Sequence, residues 1–287
     1  MSQHPERTKK ITAPDILAAK GKRKLAMMTA YDYPSGLLAD QAGMDMVLVG
    51  DSLAMVVLGH MDTLSVTLDE MIHHTRATAR GVTNALVVGD LPFGSYQASV
   101  EQAVRTSSRF LAEGGARAVK LEGGSAFAPH IRAMVQAGIP VIGHIGLTPQ
   151  HIATLGGFRY QGKTAEAILA LIDDALALVE AGIFALVLEA MPAEAAKAIT
   201  EAVPVPTIGI GAGPEADGQV LVYHDVLGLF ERFTPRFVKQ YAALGEAALA
   251  ALSAYASEVR NGSFPSEEHT THLSKEEAEK LHQLQNR

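Results

Sequence analysis

Short apolar runs alternate with longer amphipathic stretches along about the first 230 residues. The runs are rich in Val, Ile, Leu and Met and show no in-and-out alternation, which is typical of parallel strands covered on both faces. They predict eight strands, at residues 25–30, 46–50, 85–89, 116–121, 140–144, 184–188, 206–210 and 219–223.

The intervening stretches have the spacing of amphipathic helices. They predict helices at residues 34–41, 68–80, 99–113, 125–136, 164–181 and 193–202. A glycine follows four of these helices where a left-handed residue commonly ends a helix before the next strand. These glycines are Gly43, Gly114, Gly138 and Gly182.

Eight strand and helix units predict an α/β fold, a (β/α)8 TIM barrel. The 287 residues, 48% of them apolar, are enough for its core. An open doubly wound sheet is the alternative architecture. The count of eight strands weakens it, as does the missing G-x-G-x-x-G dinucleotide fingerprint after the first strand.

The sequence changes character after Thr234. Ala and Leu at helical spacing predict a long helix over residues 235–258, which would cover a barrel face or form a subunit contact. The strongly polar stretch beyond Gly262 predicts a flexible tail with room for one short helix. We therefore expect a single catalytic domain, including this helix, at residues 1–262 and a tail at residues 263–287.

The net charge and the composition limit the kinds of molecule that the protein is expected to bind. A net charge of −7 argues against a general nucleic-acid binder, so small molecules are the expected partners. The lack of cysteine excludes disulfides and thiolate metal sites. No apolar run approaches a membrane span, and the N-terminal stretch MSQHPERTKK lacks a signal-like apolar segment, so we expect a cytoplasmic protein without membrane contact.

A polar residue follows nearly every predicted strand. In a barrel of this class, side chains at the carboxyl ends of the strands form the active site. The candidates are Thr29, Tyr31, Asp32, Asp51, Ser52, Asp90, Lys120, Glu122, His144, Glu189, the glycine-rich turn at residues 209–213, His224 and Asp225.

Three of these candidates are acids at successive strand ends: Asp51, Asp90 and Glu122. Carboxylates that meet at one mouth would repel one another without a cation. Oxygen ligands and room for water favour Mg²⁺, held directly or through water. The alternative for any single acid is a helix N-cap, a common use of Asp, although three acids in succession weaken that explanation.

The other candidates also allow two interpretations each. Lys120 is either a cation for a substrate carboxylate or a solvated rim lysine. Glu189 projects from an apolar strand end and is either a general base or part of a structural ion pair. His144 could bind substrate or be a core histidine. The glycine-rich turn could cradle a phosphate or simply allow close packing.

Long motifs in a fixed order resemble the ketopantoate hydroxymethyltransferase family. The resemblance runs from about Lys24 to Leu229, and the motifs are TAYDYPSG, VLVGDSLAMVVLGH, VVGDLPFGSYQ, AVKLEGG, PVIGHIGLTPQ, LEA and TIGIGAGPEADGQVLVYHD. Such a series is far more specific than one glycine loop.

The resemblance implies a function and residue roles. A member of this family transfers a hydroxymethyl group from 5,10-methylenetetrahydrofolate to 3-methyl-2-oxobutanoate, through a Mg²⁺-stabilised enolate, and is a homodecamer. Glu189 would accept the C3 proton. By the same resemblance, Asp51, Asp90 and Glu122 belong to the Mg²⁺ site, and Asp51, Ser52, Asp90 and Lys120 contact the oxo acid. We add His144 as a further substrate-binding candidate.

Two other functions stay open at the level of sequence. One is another metal-dependent barrel enzyme acting on 2-oxo acids, such as a lyase or mutase of the phosphoenolpyruvate type, which needs no folate. The other is a barrel that only binds a metabolite, because a fold alone does not establish activity.

Overall fold

The computed structural model describes residues 9–230 and 232–286. Most of the N-terminal stretch, the first eight residues of the expected catalytic domain and the last residue of the expected tail lie outside this part. The expected division between domain and tail stays a prediction.

Eight parallel strands close into a barrel in chain order, as predicted. The first strand pairs with the second and with the eighth, which excludes the open sheet. The strands are β1 Leu25–Thr29, β2 Met46–Val49, β3 Leu86–Asp90, β4 Ala118–Lys120, β5 Val141–Gly146, β6 Ala185–Glu189, β7 Thr207–Ile210 and β8 Gly218–Leu221.

Helices lie between most of the strands along the chain, and in the part of the chain that the structure describes one helix precedes β1 and three follow β8. The helices are α1 Ala13–Leu17, α2 Tyr33–Gln41, α3 Leu53–Val56, α4 Leu68–Gly81, α5 Val100–Ala112, α6 Ala128–Gln136, α7 Ile152–Leu155, α8 Ala165–Ala181, α9 Ala193–Ala202, α10 Tyr223–Val226, α11 Leu244–Asn261 and α12 Lys275–Gln285. Short 3-10 turns add Ser125–Phe127, Pro149–His151 and Glu267–His269. Within the described residues, no helix is both long and apolar enough to span a membrane.

The expected glycines end three of the helices. Gly43, Gly138 and Gly182 are left-handed, with φ of 81°, 83° and 105°. The prediction for Gly114 is wrong, because the left-handed residue is Gly115, with φ of 73°. Gly114 instead allows a close approach, since a Cβ there would lie 2.7 Å from the carbonyl oxygen of Phe110.

The predicted helix at residues 235–258 is wrong at both ends, because α11 begins at Leu244 and ends at Asn261. The preceding segment packs against the end of α10. The backbone N–H of Tyr241 donates to Val226 O, and that of Leu244 donates to Leu227 O. These bonds use N–H groups that a continuous helix would have bonded internally.

Apolar side chains fill the inside of the barrel in a layer below the strand ends. Met27, Met46, Leu86, Ile142 and Ile208 contribute to this cluster and are at most 2% exposed. A larger apolar cluster lies between the strands and the surrounding helices. The rigid ring of strands therefore fixes the positions of side chains at its carboxyl ends.

Candidate active site

Six ionisable side chains from five consecutive strands meet at the carboxyl-terminal mouth of the barrel. They are Asp51, Asp90, Lys120, Glu122, His144 and Glu189, hereafter the strand-end cluster. All six line one cavity of about 400 Å³. The structure thus brings together the charged residues that the sequence singled out, and five of them are buried while Glu189 is partly exposed.

Lys120 lies between two of the acids. Its Nζ is 2.8 Å from Asp90 Oδ1 and 3.8 Å from Glu122 Oε1. Burial alone would lower the pKa of this lysine, but the surrounding carboxylates outweigh burial and raise it above its usual value. Lys120 is therefore a permanent buried cation and not a solvated rim lysine.

Asp51 and Asp90 lie side by side at the ends of neighbouring strands. The backbone N–H of Asp51 donates to Asp90 Oδ2 at 3.2 Å. Burial raises the pKa of both carboxyl groups, and the charges of Asp90 and Glu122 raise that of Asp51 further. The pair would be stabilised in its ionised form by an additional cation.

His144 stands between two carboxylates. Its Nδ1 is 3.5 Å from Glu122 Oε1, and its Nε2 is 3.2 Å from Glu189 Oε2. Burial and the charge of Lys120, whose Nζ lies 3.2 Å from Nδ1, act to lower the pKa of the imidazole, but the contacts with the two glutamates outweigh them and raise it to about 9. The ring can hold Glu189 in place through Nε2.

Ser52 lies at the edge of the cavity next to Asp51. Its Oγ is 2.9 Å from the hydroxyl of Tyr31, a fully buried side chain that follows β1. This contact holds the side chain of Ser52 where it lines the cavity. Tyr31 was among the strand-end candidates but had no assigned role.

The sequence interpretation missed Gln150, which ties the cluster together from the turn after β5. Its side-chain amide donates to Asp51 Oδ2 at 2.9 Å, and its backbone N–H donates to Glu122 Oε2 at 3.0 Å. Tyr96 in turn donates its hydroxyl to the amide oxygen of Gln150 at 3.0 Å. The only sequence signal was a polar residue soon after a strand end.

The backbone around Glu189 is unusual. Ala190 has φ of 45°, which is rare for a residue with a side chain. A Cβ on Gly146, whose φ is 98°, would collide with the carbonyl oxygen of Glu189. The end of β6 is thus held by close packing that only glycine permits.

The glycine-rich turn after β7 has the features of the close-packing interpretation. A Cβ on Gly211 would meet the ring of Phe237, and one on Gly213 would meet Ala193. Both glycines are left-handed, with φ of 62° and 77°. The neighbouring side chains occupy the space that glycine leaves open.

The charges of the strand-end cluster do not balance. Four carboxylates face one ammonium group and one imidazole, so negative charge stays uncompensated when all four acids are ionised. Over the described part of the chain, no three His, Asp or Glu side chains already converge as a set of direct metal ligands. Carboxylate oxygens are the donors that a hard divalent cation prefers, and a cation such as Mg²⁺ commonly keeps several waters.

Comparison with known proteins shows which family the chain belongs to. The family model for ketopantoate hydroxymethyltransferase matches residues 10–267. The 3-methyl-2-oxobutanoate hydroxymethyltransferase of Syntrophobacter fumaroxidans is 61% identical over 278 residues, covering 97% of this chain and 99% of that protein. The chain belongs to the ketopantoate hydroxymethyltransferase family. The protein of the same name from Moorella thermoacetica is 62% identical over 262 residues, covering 91% of this chain and 97% of its own length.

A solved structure supports the fold. Phosphonopyruvate hydrolase, crystallised in a complex with oxalate and Mg²⁺, has a TM-score of 0.59 and 16% identity, with 90% of this chain and 93% of that chain covered. Membership in the hydroxymethyltransferase family makes the chain an enzyme of the transferase class. It therefore favours a transferase over a lyase or mutase of the phosphoenolpyruvate type and over a barrel that only binds a metabolite.

Proposed function

We propose that the chain transfers a hydroxymethyl group from 5,10-methylenetetrahydrofolate to 3-methyl-2-oxobutanoate, giving 2-dehydropantoate (ketopantoate) and tetrahydrofolate in pantothenate and coenzyme A biosynthesis. The substrate follows from the names of the relatives. The structural observation that supports the proposal most strongly is the strand-end cluster, which faces one cavity with acids, a buried cation and the carboxylate of Glu189.

We assign Asp51, Asp90 and Glu122 as the residues that would hold a Mg²⁺ ion, directly or through water. When bound, the cation supplies a Lewis acid that makes the C3–H bond of a 2-oxo acid acidic. The complex of phosphonopyruvate hydrolase with oxalate and Mg²⁺ gives the assignment support by analogy, on a similar barrel.

Lys120, Ser52 and His144 are assigned to the oxo acid, together with Asp51 and Asp90. The ammonium group of Lys120 provides a buried positive charge for the substrate carboxylate. Ser52 Oγ and the imidazole of His144 add polar groups around the same small molecule. Aliphatic side chains that line the cavity, such as Leu48, Leu147 and Val187, are assigned to the isopropyl group of the substrate.

Glu189 is assigned as the base. It removes the C3 proton, and the electron pair left on C3 forms the bond to the methylene carbon as one of that carbon's two bonds to folate nitrogen breaks. Water then replaces the second folate nitrogen on the same carbon, so that a C–O bond forms and the second C–N bond breaks. The proton from C3 and one proton from water pass to these two nitrogens, and tetrahydrofolate leaves. His144, 3.2 Å from the carboxylate, fixes the position of Glu189 during proton transfer.

We also propose that the chain works as a homo-oligomer, a decamer. The supporting observation is helix α11, which buries none of its 18 residues in the described monomer. Leu249, Leu252 and Tyr255 are 56–67% exposed on it. A contact with a second copy would cover this apolar stripe.

A coupled assay for ketopantoate tests the proposed function. Product should form only with 3-methyl-2-oxobutanoate, methylenetetrahydrofolate and Mg²⁺ together, should stop with EDTA, and should return with added Mg²⁺. Conversion of the oxo acid without consumption of the folate would instead identify an enzyme of the phosphoenolpyruvate type. Binding without any product would identify a metabolite-binding barrel.

A further inference from the structure

Asp225 is a buried acid that the mechanism above does not use. It lies in α10, directly after β8, and lines the same cavity as the strand-end cluster. The residue is 6% exposed. Among the residues that the structure describes, no hydrogen bond or ion pair engages its carboxylate, whereas the other buried aspartates at the cavity, Asp51 and Asp90, each have a partner.

An unpartnered carboxylate in such a place opposes folding. Burial raises the pKa of Asp225 to about 6, so the group is largely ionised at neutral pH despite its loss of hydration. Removing a charge from water without a partner costs free energy that packing does not return. Residues of this kind commonly serve a ligand at the expense of stability.

Asp225 lies across the mouth from Lys120. In a ring of eight strands, β8, which precedes Asp225, is opposite β4, which carries Lys120. The cavity therefore has two polar ends, one with the charges suited to a small oxo acid and one with a single carboxylate.

Aromatic side chains line the cavity between its polar residues and the solvent. They are Phe158, Tyr160, Phe230, Phe233 and Phe237, hereafter the aromatic wall. Phe158 and Phe233 are 52% and 66% exposed, which is high for phenylalanine in a folded chain. Exposed aromatic surface in a concave site indicates a flat apolar ligand that stacks there.

We propose that Asp225 and the aromatic wall bind a planar heteroaromatic ring that carries two adjacent N–H donors, which is the aminopyrimidinone half of the pterin in the folate donor. A carboxylate accepts two parallel hydrogen bonds from a ring N–H and a neighbouring amino group. The aromatic wall supplies stacking for the rest of the ring. This inference rests on the proposed function, because it requires a folate as the second substrate.

Variants of Asp225 test the assignment in the full-length enzyme. Titration calorimetry measures the Kd for tetrahydrofolate in the wild type, Asp225→Asn and Asp225→Ala. Asp173→Asn, at an exposed aspartate of α8, is the matched control. We expect the Kd to rise about tenfold or more in both Asp225 variants, because a charge-assisted hydrogen-bonded pair is lost, and to stay unchanged in the control.

Deuterium exchange at C3 of the oxo acid, measured with Mg²⁺ and without folate, reports on the oxo-acid end of the cavity alone. The rate of exchange should be the same in the wild type and in the Asp225 variants.

A folate analogue that lacks the 2-amino group should bind the wild type more weakly than tetrahydrofolate, but the Asp225→Ala variant should bind the two equally. Phe233→Ala, which leaves Asp225 intact, should also weaken tetrahydrofolate binding without changing the exchange.

An unchanged Kd for tetrahydrofolate in both Asp225 variants would overturn the assignment while the proposed function stands. Loss of C3 exchange in these variants would overturn it as well, because Asp225 would then serve the oxo-acid site. Failure of the wild type to bind tetrahydrofolate or to consume methylenetetrahydrofolate would refute the folate donor itself, and the assignment with it.

Discussion

Single residues of this site carry charges that are costly for the fold. The strand-end cluster places Lys120 and His144 among four carboxylates in a mostly buried volume. The sequence predicted every member of the cluster, because the carboxyl end of a barrel strand is a fixed place and each charged residue follows an apolar run. It could not predict which partner each charge has, since partners come from separate strands.

Gln150 illustrates what the sequence could not provide. Its role depends on contacts with Asp51 and Glu122, which lie 99 and 28 positions away along the chain. No local pattern distinguishes this glutamine from an ordinary polar loop residue. Asp225, in contrast, was among the strand-end candidates, but only the structure revealed its burial and its lack of a partner.

Gln150→Ala tests the positioning role of this glutamine. The variant removes the amide that orients Asp51 but keeps the backbone bond to Glu122. We expect Mg²⁺ affinity to fall about 10- to 100-fold, as is usual when a residue supporting a metal ligand is lost. Calorimetric titration with Mg²⁺ measures it, and Gln136→Ala at an exposed position is the control. Equal affinities in both variants and the wild type would contradict the role.

The pH dependence of the free energy of unfolding tests whether the buried carboxylate of Asp225 destabilises the fold. Its pKa in the folded chain is about 6, against an ordinary value of 3.8. A raised pKa means that the folded state holds the proton more tightly, so wild-type stability relative to Asp225→Asn falls as pH rises from 3.8 through 6. Denaturant unfolding at several pH values should show Asp225→Asn to be the more stable protein above about pH 6, with a difference that disappears near pH 4. A difference independent of pH would contradict this account.

At the scale of elements, the strands and the six helices of nine or more residues between them could be predicted, because each has its own periodicity and end signals. Thr67, Ser99 and Thr164 cap α4, α5 and α8 with side-chain oxygens, as expected for helix starts. The region before α11 could not be predicted. Its residues have helical composition, but bonds to the end of α10 and the packing of Phe237 on Gly211 hold them in another conformation.

The end of β6 provides a test at this scale. Gly146→Ala should displace Glu189, because the new Cβ collides with the carbonyl oxygen of that residue. Gly138→Ala is the matched control, since Gly138 is also left-handed but a Cβ added there would have no neighbouring atom within 4 Å. Both variants should lose about 1–2 kcal/mol of stability from the left-handed backbone alone.

Both variants share the strain of a left-handed alanine, but only Gly146→Ala adds a collision with Glu189. Ketopantoate formation should fall sharply in Gly146→Ala and stay near the wild-type rate in Gly138→Ala, and thermal unfolding should show the larger loss for Gly146→Ala. Full activity in a folded Gly146→Ala enzyme would mean that close packing at Gly146 does not position Glu189.

At the scale of the whole molecule, the chain combines a closed barrel with helices that the described monomer leaves exposed. The barrel follows from eight repeated units and could be predicted from the sequence. The proposed number of ten subunits comes from the family resemblance alone, because subunit number depends on the geometry of contacts between copies. Helix α11 supplies the apolar surface on which we base the oligomer.

Replacement of Leu249 and Leu252 by glutamate tests this surface. The double variant should sediment as a smaller species than the wild type, because charged residues oppose burial between copies. Leu281 and Leu284 in α12 are exposed leucines at similar spacing, and the same double change there should leave the sedimentation coefficient unchanged. An unaltered oligomer in the α11 variant would exclude this stripe from the subunit contact.

The central claim is that the strand-end cluster holds a divalent cation that acidifies the C3–H bond of the oxo acid, and that Glu189 removes the proton. Proton NMR of 3-methyl-2-oxobutanoate in D₂O, with enzyme and Mg²⁺ but without folate, measures this step alone. The account predicts exchange at C3 that stops with EDTA, returns with Mg²⁺, and falls by about 10²-fold or more in Glu189→Gln, which still binds the oxo acid. Exchange at the wild-type rate in Glu189→Gln, or exchange indifferent to EDTA, would contradict it.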